Sequence, residues 1–133
     1  MRLFDLHCDT IIECYNRRLS LGENRELHIA LDRGRRYDPW IQCFAVWIPD
    51  TLRGQAAVRF LDAVAAFLRQ EQLKQQKEIT ICINKEDFNN VDNRCGAVLR
   101  VEGGAVLAGN LANIAHLHQQ GVRALTLTWN GSC

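Results

Sequence analysis

At 133 residues the chain has room for one domain with a real core, not two. It is 47% hydrophobic and 23% charged with a net charge of +1, so no strong field points to nucleic acid or an anionic membrane. It has no basic segment leading into an apolar run and no stretch of bilayer-spanning length, which leaves the cytoplasm as the expected setting.

Residues 2–9 read as a strand, because side chains alternate between two faces with period two. That alternation puts Leu3, Asp5, His7 and Asp9 on one face, and Phe4, Leu6 and Cys8 on an apolar face for helices to cover. Residues 10–21 carry Ile11, Ile12, Tyr15 and Leu19 at helical spacing, with Gly22 placed to end the helix. Residues 23–39 form a long polar connection with Arg33-Gly34-Arg35-Arg36 at its centre. The arginines read as a solvated loop, the alternative being a grip on an anionic substrate or partner. Residues 41–48 are almost continuously apolar, as in a strand buried on both faces, with Gln42 as the exception. Gln42 is either a bonded interior group or part of a site.

From residue 54 to 76 the period changes, and Val58, Leu61, Val64, Ala65 and Leu68 form the stripe of a packing helix. A short β-branched strand follows over 78–84, then a helical turn and polar loop over 85–93. Residues 97–102 make the next strand, stopping at Gly103-Gly104. Asn110 suits the N-cap of a helix over 111–120 with Leu111, Ile114 and Leu117 facing inward, and Gly121 suits its end. A fifth strand runs over 122–129. Alternating strands and helices with short connections imply a parallel α/β sheet, open or closed into a barrel. The first strand is not followed by G-x-G-x-x-G, which weakens a dinucleotide reading.

Chemistry-bearing residues gather at the carboxyl ends of the first and fourth strands, the edge where parallel α/β proteins build sites. Asp5, His7 and Asp9 bring two carboxylates and an imidazole within about 7 Å along a strand. Carboxylates that close repel, so a positive group belongs among them. A divalent metal on His7 and Asp9 answers this with ordinary zinc ligands, and Glu102 can share the same ion. The alternative is a strand end whose polar groups bond backbone or an arginine. The six cysteines (8, 14, 43, 82, 95 and 133) lack paired spacing and read as reduced, mostly buried hydrophobes, with Cys8 turned away from His7 and Asp9.

Four segments in register resemble the zinc-dependent membrane (renal-type) dipeptidases. They are Asp5-Leu6-His7-Cys8-Asp9-Thr10, Gln42-Cys43-Phe44-Ala45, Glu102-Gly103-Gly104, and Gly121-Val122-Arg123 with Leu125-Thr126-Leu127-Thr128-Trp129-Asn130. The resemblance implies the N-terminal portion, about five strands, of a (β/α)8 TIM-type barrel carrying two zinc ions and hydrolysing dipeptides. His7 and Asp9 match ligands of the first zinc, Glu102 the carboxylate bridging both, and Asp5 an acidic position beside the site; the plainer reading of Asp5 is a hydrogen bond that orients His7. Trp129 and Asn130 match barrel packing and loop. Family members are more than twice as long, and two histidines for the second zinc come from their later strands. His28, His116 and His118 do not substitute for these: the first is in a polar loop, the others near a helix C-terminus.

Residues 1–133 are therefore expected to be a single partial domain, truncated and inactive alone. Five barrel strands cannot close, so homo-oligomerisation or misfolding is the expected consequence. Two further readings stay open: a non-catalytic half-barrel that binds metal or assembles, and another metal-dependent amidohydrolase or phosphoesterase.

Overall fold

The computed structural model describes residues 1–129 and shows a parallel sheet with helices against one side. The elements in chain order are β1 (Leu3–Cys8), α1 (Thr10–Arg17), α2 (Leu31–Gly34), β2 (Trp40–Trp47), α3 (Gln55–Lys74), β3 (Ile79–Ile81), α4 (Lys85–Asn89), β4 (Cys95–Glu102), a 3₁₀ turn (Gly104–Leu107), α5 (Asn113–Gln119) and β5 (Val122–Thr126). The five strands run β1-β2-β4-β3, and β5 also pairs with β4. β3 takes the first half of that edge, from Cys95 to Ala97, and β5 takes the second, from Leu99 to Glu102. The sheet is thus four strands wide, a segment of a TIM-type barrel.

Alternation along β2 and β4 sorts the interior into two layers. Trp40, Phe44 and Val46 of β2 and Cys95, Ala97, Leu99 and Val101 of β4 join Leu61, Val64, Ala65 and Leu68 of α3 in the main core. Ile41, Cys43 and Val98 face the other way and meet Cys82 and Val91. Gln42 is fully enclosed on the helix side, where it accepts from Trp40 Nε1 at 3.3 Å and donates to the Cys43 carbonyl. It is a bonded interior group.

The β1 register corrects the expected alternation. Asp5 lies beside Gln42 but Cys8 lies beside Phe44, so one extra residue is inserted between them. Leu3 and Cys8, of opposite parity, consequently both pack against the main core. Asp5 Oδ1 accepts the backbone N–H of His7 at 3.1 Å, which satisfies a donor at the bulge. The bulge separates Asp5 from the side of the sheet that His7 occupies. The expected covered face is also open, since Phe4 and Leu6 are 58% and 65% exposed.

Two helix boundaries differ from expectation for tertiary reasons. α1 ends at Arg17, with Arg18 in the left-handed region (φ 56°), rather than running to Gly22. The turn that follows drops Leu21 into the core, where Glu71 accepts its N–H at 2.8 Å. α5 begins at Asn113, and Asn110 instead accepts from Ala112 in the preceding turn at 2.9 Å. Leu117 is buried, whereas Leu111 and Ile114 stand 75% and 52% exposed. Gly121 ends α5 as expected, with φ +94° and its N–H on the His118 carbonyl.

The arginine-rich connection is structural. The Arg33 guanidinium caps the carbonyls of Asn24 and Leu27, and Arg35 grips both Glu78 oxygens at 2.9 and 2.7 Å. Gly34 leaves room for the Trp40 ring, which any Cβ there would overlap. No described helix is long and apolar enough to cross a membrane.

Candidate metal centre

Three different local devices deliver the three ligand candidates. His7 is turned by the β1 bulge onto the side of the sheet that carries Glu102. Asp9 occupies the N-cap position of α1, a place where aspartate normally bonds the first turn. Its carboxylate makes no cap bond there; it lies 3.4 Å from His7 Nε2, and the backbone carbonyl alone receives the Ile12 and Glu13 N–H groups. Glu102 closes β4 and is 9% exposed. Gly103 after it adopts φ +113°, which an L side chain resists, and sends its N–H to the Thr126 carbonyl at 2.9 Å.

These devices converge. His7 Nδ1 lies 3.3 Å from Glu102 Oε1, and one ligand atom from each of His7, Asp9 and Glu102 falls within 4.8 Å of the others. An imidazole and two carboxylates are a donor set suited to zinc and to other borderline divalent ions. Asp5 is not a fourth member: it acts through the His7 backbone. Cys8 packs against the main core beside Phe44, on the other side of the sheet from His7, and is not a member of the triad. His116 is paired with Asp62 at 2.7 Å, and His116 and His118 sit in the last turn of α5, as expected from the sequence. Asn130 and Cys133 lie outside the described residues.

Two neighbours of the triad went unassigned in the sequence. Arg100 projects from β4 in phase with Glu102, with Nη2 3.1 Å from Glu102 Oε1 and Nη1 3.4 Å from His7 Nδ1. An arginine two residues before a site carboxylate, inside an apolar strand, was the available signal. Trp47, opposite Glu102 in the sheet, packs against Trp129 with ring centroids 5.5 Å apart. His7, Asp9, Ile12, Glu13, Trp47, Glu102 and Trp129 line one cleft of about 380 Å³. Trp129 therefore borders the site as well as packing.

Fold and site together define a parallel α/β barrel segment with an imidazole–carboxylate triad at its carboxyl edge. The family model for membrane dipeptidase (peptidase family M19) matches residues 1–133, and the chain belongs to that family. Comparison with curated proteins finds no match. Among solved structures, the chain is similar to a dipeptidase AC, a metallo peptidase of family M19, with a TM-score of 0.86 and 18% identity over 97% of this chain and 43% of that one. It is equally similar in fold to a metallo peptidase from Rhodobacter sphaeroides liganded with a phosphinate mimic of the dipeptide L-Ala-D-Ala, with a TM-score of 0.86 and 16% identity over 99% of this chain and 46% of that one. The chain thus spans less than half the length of these relatives.

Proposed function

We propose that the chain is the N-terminal half of a zinc-dependent dipeptide hydrolase, with His7, Asp9 and Glu102 as the ligands of one zinc ion. The observation that carries this reading is the approach of the three ligand atoms to within 4.8 Å. A divalent ion there supplies Lewis-acid chemistry, acidifying water and polarising a peptide carbonyl. The chain's own residues set the geometry. Asp5 fixes the bulge that aims His7, and Gly103 lets β4 turn away immediately after Glu102. Trp47 and Trp129 form an apolar wall on which a small peptide can rest while water is excluded.

Among the described residues this is the one group of three or more metal-ligating side chains. One ion per chain, with little or no dipeptide turnover, is therefore the expected behaviour of the 133 residues alone. Residues 1–133 are read as a single partial domain. Phe4 and Leu6 on its exposed β1 face support self-association as a homo-oligomer. Buried, protonated thiols and ordinary surface charge fit a reducing cytoplasmic setting.

Metal analysis after gel filtration, run beside assays on L,L- and L,D-dipeptides, tests the proposal. One zinc per chain, lost in His7→Ala, is expected; no retained zinc at neutral pH overturns it. A non-catalytic metal-binding role rests on the same triad and shares the expectation of bound zinc without turnover by these residues alone; zinc-dependent turnover of any dipeptide excludes it.

A further inference from the structure

The strand that delivers Glu102 also delivers Arg100 to the same side of the sheet. The Arg100 side chain is 20% exposed, and both terminal nitrogens are committed. Nη2 donates to Thr126 Oγ1 at 2.8 Å and lies 3.1 Å from Glu102 Oε1. Nη1 donates to the Leu6 carbonyl at 3.1 Å and lies 3.4 Å from His7 Nδ1. Nε is buried with no hydrogen-bond partner. A guanidinium anchored by a carbonyl on β1 and a hydroxyl on β5 cannot swing out to grip a substrate. It is a fixed positive charge, always ionised, facing two of the three groups that would hold a cation.

We propose that Arg100 is an internal rival of the divalent ion: it neutralises Glu102 and steadies His7, and so makes the centre hold its metal weakly and exchange it readily. The inference rests on the cation reading above. Two charges of like sign a few ångströms apart in a partly enclosed site repel strongly, and the Glu102 oxygen shared with Nη2 has less electron density to offer a metal. Against this stands the benefit of a pre-aimed His7 and Glu102, which is smaller because the bulge and the Gly103 turn already aim them.

The test is calorimetric titration of the chain with zinc chloride, with cobalt(II) absorption as a second readout of ligand geometry. Arg100→Met is expected to tighten zinc by about tenfold or more, and Arg100→Lys, which restores the charge, to return it to within about threefold of the native value. Thr126→Val removes only the hydroxyl anchor, and is expected to tighten zinc by a smaller factor; it carries the test if Arg100→Met does not fold by circular dichroism. Equal or weaker zinc binding in the variant that folds overturns the rivalry and leaves the metal site standing. Zinc binding by neither the native chain nor any variant overturns the metal site itself and the rivalry with it.

Discussion

Glu71 is the carboxylate most deeply taken into this interior, 1% exposed on α3. Burial alone would push its carboxyl up; the Leu21 N–H, Lys74 at 2.9 Å and the Ser20 hydroxyl outweigh that and hold it below its ordinary value. A lowered folded pKa means stabilisation that is complete above the unfolded value and lost as pH falls through the folded one. Acid unfolding of the native chain should therefore include a contribution below about pH 4.3 that Glu71→Gln lacks. The same variant is expected to cost about 1–3 kcal/mol at neutral pH, read by urea denaturation, because the turn at Leu21 loses a charged acceptor. A second residue-scale prediction concerns Gly103, whose φ of +113° excludes a side chain without strain. Gly103→Ala is expected to cost about 1–3 kcal/mol and to weaken zinc binding, since the strain falls one residue from Glu102.

At the scale of elements, α3 and α5 invite a paired comparison. Leu68→Ala in α3 removes a side chain 1% exposed and is expected to cost about 2–5 kcal/mol, whereas Ile114→Ser in α5 is expected to stay within about 0.5 kcal/mol. Thermal melts of the two variants check the difference. Their contrast also shows what could be read beforehand. The long stripe on α3 has one consistent solution, so period alone placed Val58, Leu61, Val64 and Leu68. α5 has seven residues, and so short a pattern fits several rotations; only Leu117 meets the core, and packing against the sheet decided which. The candidate site was legible for a similar reason. His7, Asp9 and Glu102 follow from strand ends, which any parallel sheet brings to one edge. The bulge in β1 was not legible, because a single inserted residue leaves the hydrophobic pattern of six residues almost unchanged while reversing the side of everything after it. That is why Asp5 appeared to share a face with His7.

On the scale of the whole molecule, the sheet is covered on its helix side, while on the other side its middle strands are buried and its β1 edge is open. Phe4 and Leu6 are exposed on β1, which among the described residues pairs only with β2, and Leu127 and Trp129 are exposed beyond β5. Apolar surface beside an open strand favours association. Sedimentation velocity should show mass rising with concentration, and Leu6→Lys should shift the distribution toward the monomer without lowering the melting temperature. No shift would mean that β1 is not the contact.

The split edge of β4 has a dynamic consequence. On the edge away from β2, its amino half is zipped to β3 and its carboxyl half to β5, so those two partners can come undone separately. Arg100 and Glu102 ride on the half fastened by the last strand, and the amides of Gly103 and Gly104 are tied to the carbonyls of Thr126 and Leu127. Peeling away that final strand would free the Gly103-Gly104 turn and take away the Thr126 anchor of Arg100, while β2 kept its hold on β4 through Glu102. In deuterium-exchange measurements Gly103 and Gly104 should label together with β5, well ahead of Cys95 and Cys82, whose amides are held by Glu78 and Ala97.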